Sequence, residues 1–298
     1  MHVFVTGGSG QTGPTVVTEL IEAGHTVTGL ARSDAAATRL TALGATPLRG
    51  SLDDLDGLRR GAEAADGVLH MAFGGDFADP DAMMRRDRTA IETLGTALEN
   101  TGKPLVSTSG TLVMPAGRES SEKDEPDAAG LATFRIAGER ACLAFAARGV
   151  RASVVRLAPT VHGPEDHGFI TMLVATARQT GVSAYVGDGA NRWPAVHRLD
   201  AAVLFRLALE QAPAGSVLHG AAENVAFKRI AETIAEGLGL PAVSLTPEAA
   251  ATHFVSPFMA LAYGFDAPVT SAFTRELLGW APSGPGLLDD VANGDYLG

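Results

Sequence analysis

The first 110 residues alternate short apolar runs with amphipathic stretches. The apolar runs are continuous and of strand length, which is typical of strands buried on both faces of a sheet. They cover 2–6, 25–31, 45–50, 67–73 and 103–109. Helical spacing of apolar residues predicts helices over 14–23, 35–43, 52–62 and 81–99. A repeated strand and helix predicts parallel strands joined by helical crossovers, and therefore a doubly wound α/β fold.

The same pattern continues beyond residue 110. The stretch 130–145 carries apolar and small residues at spacings of four, three and four, which predicts a helix packed on the sheet. Residues 152–161 are predicted to form the next strand. Residues 217–221 and 227–238 predict one more strand and helix of the same sheet.

Two later segments break this rhythm. Residues 162–200 and 241–298 hold much of the proline and most of the large aromatic residues, which indicates loops and short helices. We therefore predict a main domain and a smaller C-terminal lobe. The main domain is assigned to 1–161 with 196–238 returning to it, and the lobe to 162–195 and 239–298.

Composition narrows the functional classes. A net charge of −11 leaves no basic footprint for nucleic acid or for a membrane surface, so we expect neither as a partner. The single cysteine, Cys142, lies in an apolar helical run and is predicted to be buried, and zinc sites of the CxxC kind are excluded. The first residues have no basic region or long apolar run, so a cytoplasmic protein is expected.

Residues 6–13, TGGSGQTG, lie between the first predicted strand and the first helix. Glycines are needed here because the turn visits positive φ and because the backbone must approach a pyrophosphate closely. The helix N-terminus offers free N–H groups, and Pro14 gives up one that would be unpaired anyway. We therefore predict a Rossmann-type dinucleotide site. Its residues at this turn are Thr6, Gly7, Gly8, Gly10, Gln11, Thr12 and Gly13.

The end of the second strand selects the dinucleotide. Sites for NAD place an acidic residue here for the ribose 2′-hydroxyl, whereas this chain has Ala31, followed by Arg32 and Ser33. A guanidinium and a hydroxyl suit a 2′-phosphate. We predict NADP(H) bound by Arg32 and Ser33; the alternative for Arg32 is a solvated surface position.

Several segments along the chain have the form of family motifs: TGGSGQTG (6–13), GSLDD (50–54), LHMA (69–72), VSTSGT (106–111), VVRLAPTVHGP (154–164), VHRLDAA (196–202) and LGWAP (278–282). Together, in order and spacing, they resemble the extended short-chain dehydrogenase/reductase family, also described as NAD(P)-dependent epimerases/dehydratases. The resemblance implies residues beside the adenine, the ribose and the nicotinamide carboxamide. These are, respectively, Ser51 and Leu52; Met71, Ala72 and Phe73; and Pro159, Thr160 and Val161.

The chain departs from that family at the catalytic residues. The family usually uses a Tyr-x-x-x-Lys pair with a Ser or Thr on the preceding strand, and aligning GERACL (138–143) puts Leu131 at the tyrosine and Arg135 at the lysine. No lysine follows four residues after any of the three tyrosines, Tyr185, Tyr263 and Tyr296. The chain thus resembles atypical members of the superfamily, some of which are ketoreductases on polycyclic aromatic polyketides, while others only sense the nucleotide.

Reduction of a ketone without the tyrosine needs another proton source. Ser109, Thr111 and His162 are the candidate catalytic donors; alternatively the two hydroxyls satisfy nearby backbone and His162 caps a turn. The leading hypothesis is substrate assistance, in which a phenol beside the ketone stabilises the alkoxide and water completes protonation. Arg135 is expected to bind ribose or phosphate, or else to lie on the helix surface.

The predicted substrate pocket is bulky and apolar, which suits a flat aromatic ligand and disfavours sugar nucleotides. Its candidate residues are Met114, Leu131, Phe169, Trp193, Phe254 and Phe258. We predict an NADPH-dependent ketoreductase of a hydrophobic, polycyclic aromatic substrate, such as a polyketide or antibiotic; the alternative is a catalytically silent NADP(H)-sensing regulator. A homodimer through the late helices, as relatives often form, is one option for the oligomeric state.

Overall fold

Strands and helices alternate through the first 157 residues of the computed structural model, which describes residues 1–74 and 79–298. The elements are β1 (His2–Thr6), α1 (Gly13–Glu22), β2 (Thr26–Ala31), α2 (Asp34–Ala42), β3 (Thr46–Arg49), α3 (Leu55–Ala64), β4 (Gly67–His70), α4 (Pro80–Ala97), β5 (Pro104–Gly110), α5 (Ile136–Ala144) and β6 (Arg151–Leu157). This confirms the predicted alternation. The helix predicted over 130–145 is shorter, because Thr133–Arg135 and Phe145–Arg148 form 3-10 turns at its two ends.

The later half is more regular than its composition suggested. Its elements are β7 (Thr160–His162), α6 (Phe169–Thr180), β8 (Ser183–Val186), β9 (Arg192–His197), α7 (Arg198–Gln211), β10 (Ser216–Gly220), β11 (Glu223–Ala226), α8 (Phe227–Leu238), β12 (Ala242–Leu245), α9 (Pro247–His253), α10 (Pro257–Tyr263), α11 (Ala272–Leu278) and α12 (Leu287–Asn293). The strand predicted over 152–161 divides into β6 and β7. Pro159 lies in the gap, where it has no N–H to donate to a ladder.

The main sheet has seven strands in the order β10-β6-β5-β4-β1-β2-β3. Every neighbouring pair is parallel, so the carboxyl ends of these strands meet at one edge. This arrangement confirms the predicted Rossmann-type doubly wound fold. Among the described residues, no helix is both long enough and apolar enough to cross a bilayer.

The main sheet is buried on both faces, which explains its continuous apolar runs. In β1, Val3 and Val5 belong to the core on the α1 and α7 face, while Phe4 belongs to the core under α3, α4 and α5. A β-strand points successive side chains to opposite faces, so each face of this strand needs its own apolar residue.

The second lobe has a core of its own. Two small sheets, β11-β9-β7 and β12-β8, pack with α6, α8 and α12 around a cluster rich in aromatic rings. The helix α8 contributes Phe227, Ile230 and Ile234 to this cluster, although its sequence position had grouped it with the main sheet. Strand β10, in contrast, pairs with β6 in the main sheet.

Candidate active site

A cleft of about 590 Å³ opens at the carboxyl edge of the main sheet. Doubly wound sheets bind ligands at this edge, because the loops that follow the parallel strands converge there. Its lining residues are Gly7, Ser9, Gly10, Gln11, Thr12, Gly13, Leu30, Arg32, Ser51, Leu52, Met71, Ala72, Phe73, Gly74, Arg86, Thr108, Arg135 and Leu157. Most residues predicted to bind the coenzyme are therefore brought together in one place.

Two glycines of the first turn are there for different physical reasons. Gly7 has φ +78°, and a Cβ on it would lie 2.6 Å from the backbone nitrogen of Ala72. A Cβ on Gly13, the first residue of α1, would collide with the carbonyl oxygen of Gly7. The N-cap residue Thr12 makes no side-chain capping bond within the described part of the chain, so the first amides of α1 remain available to an anion.

Three predicted residues near this turn serve the fold and do not line the cleft. Thr6 is fully buried; its hydroxyl accepts from the amide of Ala72 (3.2 Å) and lies 2.9 Å from Nδ1 of His70. A Cβ on Gly8 would lie 3.1 Å from side-chain carbons of Leu40 and Val17, so this glycine allows close packing of the turn on α1 and α2. Ser33 accepts a hydrogen bond from an amide in the first turn of α2 and so caps that helix.

A buried polar chain lies under the cleft. His70 contacts the carboxylate of Asp87 through Nε2 (3.2 Å) and the Thr6 hydroxyl through Nδ1. Because an ionised carboxylate can only accept, Nε2 donates to Asp87; in the neutral imidazole, Nδ1 then accepts the hydroxyl proton of Thr6. This chain fixes the amide of Ala72 against the glycine turn.

The end of the cleft beside β2 and β3 carries two arginines. Arg32 is exposed and forms no ion pair with any described residue. Arg86 on α4 donates to Asp53 (2.6 Å), and its buried Nε has no hydrogen-bond partner among the described residues. No local pattern predicted Arg86 as a cleft residue, because it reaches the cleft from a helix that carries no recognisable motif.

The other end of the cleft is formed by Arg135 and Phe73. The guanidinium carbon lies 3.7 Å from the centroid of the Phe73 ring, Nη2 donates to the carbonyl of Thr108, and buried Nη1 has no partner among the described residues. Burial lowers the pKa of Arg135, and the carboxylates of Asp87 and Glu139 act in the opposite direction. Arg135, at the position of the family's lysine, thus has an N–H group at Nη1 that could donate a hydrogen bond to a ligand in the cleft.

Among the described residues, no tyrosine lines the cleft. Tyr263 is buried in the second lobe and donates to the carbonyl of Phe169 (3.0 Å), and Tyr296 donates to Asp166 (2.7 Å). Burial raises the pKa of both phenols. Leu131, at the position of the family's tyrosine, lies between the two lobes and packs on both cores.

The candidate donors Ser109 and Thr111 are buried and lie outside the lining of the cleft. Side chains alternate along β5, and the residue that lines the cleft is Thr108, whose hydroxyl is buried without a partner among the described residues. Leu157, the last residue of β6, lines the cleft where Pro159, Thr160 and Val161 had been predicted. Thr160 and Val161 instead pair with β9 in the second lobe.

His162 lines a second cavity of about 210 Å³, which shares no described residue with the cleft. Its Nδ1 lies 2.8 Å from a carboxylate oxygen of Asp290, and its ring meets the ring of His197 edge-on at 5.5 Å. Burial lowers the pKa of His197, and the neighbouring His162 lowers it further. Asp200 accepts from the amides of Ser283 and Gly284, so this region joins α7 to the C-terminal segment.

The other residues predicted to line the substrate pocket divide into two groups. Met114, Phe169, Trp193 and Phe254 pack within the cores, because the rings of the second lobe contact one another and not the cleft. Phe258 is partly exposed and contacts Phe134, which stacks on Phe73 of the cleft.

Comparisons with known proteins agree with this geometry. An uncharacterized protein of Schizosaccharomyces pombe is 44% identical over 302 aligned residues, covering 100% of each chain. A 4-hydroxy-2-methyl-3-oxo-4-farnesyl-3,4-dihydroquinoline-1-oxide ketoreductase of Stigmatella aurantiaca is 29% identical over 73% of this chain and 67% of its own.

Solved structures show the same fold. The dTDP-glucose 4,6-dehydratase DesIV of Streptomyces venezuelae, solved with NAD bound, superposes with a TM-score of 0.80 at 18% identity over 98% of this chain and 95% of that chain. The model of the NAD dependent epimerase/dehydratase family matches residues 3–219, which contain the whole cleft. The resemblance seen in the sequence is thereby confirmed, and the chain belongs to the NAD dependent epimerase/dehydratase family.

Proposed function

We propose that this protein is an NADPH-dependent ketoreductase that reduces a carbonyl of a hydrophobic, polycyclic aromatic substrate without a catalytic tyrosine. The observation that carries the proposal is the stacking of Arg135 on Phe73 in the cleft, in a chain whose Leu131, at the family's tyrosine position, packs between the two cores. Polar groups that suit a coenzyme line this cleft, and the residue that replaces the family's tyrosine is apolar.

The cleft has the donors that a phosphorylated dinucleotide requires. The amides of the glycine turn and of the first turn of α1 suit a pyrophosphate, and Arg32, with no acidic partner among the described residues, suits a 2′-phosphate. Buried Nη1 of Arg135 and the buried Thr108 hydroxyl both lack partners among the described residues. Such groups cost free energy unless a ligand satisfies them, so they fit hydroxyl or amide groups of a coenzyme.

The chain's own contribution to the reaction is binding and electrostatics. The coenzyme, when bound, supplies the hydride. Arg135 holds a fixed positive charge at the cleft, since a guanidinium stays protonated and cannot act as the acid. A general acid typically contributes about 10²- to 10⁴-fold to a rate, and a phenol adjacent to the substrate ketone can replace it by an internal hydrogen bond.

The choice of substrate is supported by the apolar surroundings of the cleft. Phe73 stacks on Phe134 at 5.8 Å, so this end of the cleft has an aromatic, apolar boundary beside which the ring system of a substrate could pack. Sugar substrates would need buried hydrogen-bond partners that Leu131 does not provide. The Stigmatella relative is, by its name, a ketoreductase of a 3-oxo-3,4-dihydroquinoline-1-oxide, a bicyclic compound whose ketone lies on the ring fused to a benzene ring.

A pair of compounds tests substrate assistance. We expect NADPH consumption with polycyclic hydroxyketones whose phenol neighbours the ketone, and about 10²- to 10⁴-fold slower turnover with the matching methyl ethers, which cannot donate. Equal rates with the two compounds would refute substrate assistance. No turnover of any ring ketone, together with tight binding of both NADPH and NADP, would refute the ketoreductase and favour a nucleotide sensor.

A charge substitution tests the coenzyme choice. Charged hydrogen bonds contribute about 1.5–3 kcal/mol, so Arg32→Ala should weaken NADPH about 10- to 100-fold and leave NADH nearly unchanged. Arg60→Ala removes an equally exposed charge outside the cleft and serves as the control. Equal losses for the two coenzymes would rule out recognition of the 2′-phosphate by Arg32.

A further inference from the structure

The helix α10 is apolar on the side that faces solvent. Its sequence, PFMALAY, has no charged residue. Met259, Ala262 and Tyr263 are buried against the second core, while Phe258 is 39% and Leu261 66% exposed. Surface helices normally present polar residues to water, so a helix that is apolar all round indicates that its outer face is covered in the working protein.

The exposed apolar residues are concentrated at this place. Val255, just before the helix, is 73% exposed, and the described chain has few other large apolar side chains this open. We call Val255, Phe258 and Leu261 the apolar stripe. Phe258 and Leu261 are three residues apart and therefore lie on one side of the helix.

The apolar stripe is connected to the cleft by aromatic rings. Phe73 lines the cleft and stacks on Phe134, whose ring centroid lies 6.5 Å from that of Phe258. The three rings form a continuous apolar path from Arg135 at the cleft to the surface of α10. The surfaces of these rings offer contact to a hydrocarbon and no hydrogen-bond partner to a polar group.

We propose that the apolar stripe binds an aliphatic tail of the substrate. This inference rests on the proposed function: the ring that carries the ketone would lie at Phe73 and Phe134, and a hydrocarbon substituent would leave the cleft past Phe258 and cover Leu261 and Val255. The preferred substrate class is then an amphiphilic ring ketone with an alkyl or prenyl-like chain. The stripe requires no polar group in that chain.

The test compares ring hydroxyketones that are identical except for an n-alkyl chain of increasing length. Binding is measured by calorimetry, and turnover is measured separately with NADPH. Each buried methylene should strengthen binding about two- to fourfold until the chain passes the end of the stripe, since burial of one CH₂ is worth up to about a factor of four. If the affinity of the wild-type protein does not change with the length of the alkyl chain, the inference is overturned.

Two variants locate the tail. The double variant Val255→Ser, Leu261→Ser removes apolar surface without touching the core, and the ratio of affinities between tailed and tailless compounds should fall by about tenfold or more. Leu199→Ser changes an equally open leucine on α7 and should keep the wild-type ratio. An unchanged ratio in the double variant would overturn the inference.

The measurements separate this inference from the proposed function. Turnover of the ring ketones with no dependence on chain length would leave the function standing and refute the tail site. Binding that depends on chain length without any turnover would support the tail site and refute the reductase. If the wild-type protein is a dimer that the double variant dissociates while the chain-length dependence persists, the stripe is an interface between two copies and the tail site is wrong.

Discussion

Replacing Glu139 by glutamine should destabilise the protein strongly. Glu139 on α5 and Arg156 on β6 form an ion pair whose side chains are only 3% and 2% exposed. Arg156 donates from Nε to both carboxylate oxygens at 3.1 Å, and further to the carbonyl of Asp124. Glu139→Gln keeps the size of the side chain but leaves the buried guanidinium without its charge partner.

The magnitude follows from that burial. Removing one partner of a buried pair costs about 3–5 kcal/mol, because the remaining charge is left uncompensated. An unfolding entropy of about 2 cal/mol/K per residue gives about 0.6 kcal/mol/K for a chain of 298 residues. The expected fall in melting temperature is therefore about 5–8 °C.

Calorimetry and urea unfolding measure this loss, and the chain offers a matched control. Arg88 and Glu92 on α4 form a pair of the same chemistry whose side chains are 60% and 46% exposed. Glu92→Gln should cost less than about 0.5 kcal/mol. The double variant Glu139→Leu, Arg156→Met should be more stable than Glu139→Gln, since it removes both charges. A loss for Glu139→Gln as small as that for Glu92→Gln would refute the reasoning.

Two further predictions concern the turn and the response to acid. Gly13→Ala should abolish coenzyme binding in a fluorescence titration, because the new Cβ would collide with the carbonyl oxygen of Gly7. Gly110→Ala is the control and should retain binding, because its Cβ would lie 3.7 Å from the nearest neighbouring atom. Equal coenzyme affinities of the two variants would contradict this prediction. Burial lowers the pKa of His219 from 6.5 to about 4. Below pH 6.5 the unfolded chain therefore binds a proton at this histidine that the folded chain does not bind. The free energy of unfolding should fall by up to about 3 kcal/mol between pH 6.5 and 4. His219→Asn, whose amide can still donate to the carbonyl of Thr270, should flatten that slope in urea unfolding, and an identical slope would exclude His219 as its source.

Local patterns predicted the frame of the site well. The glycine turn, β1 and α1 follow from residues adjacent in sequence, and a run such as HVFVT is informative because both of its faces are buried. Arg32 was predicted from its position at the end of the second strand, and Phe73 was implied by the family resemblance; both line the cleft, because the loops after parallel strands meet at one edge.

Longer-range features were harder to predict. Successive side chains of β5 point to opposite faces of the sheet, and its continuous apolar run does not reveal which of Thr108 and Ser109 faces the cleft. Aromatic residues such as Trp193 and Phe254 have the same composition signal whether they line a pocket or pack on one another. Arg86 enters the cleft through the packing of α4, a tertiary relation that no local pattern records.

The glycine turn is held by residues from distant parts of the chain, which has a consequence for the order of folding. Gln11 donates to Asp166 and accepts from the amide of His167, while Tyr296 donates to the same Asp166. Contacts this far apart in sequence form slowly, because a long segment must be closed into a loop first. We therefore expect the glycine turn to reach its final shape late in folding, after residues 163–167 and the segment around Tyr296 have come together with it.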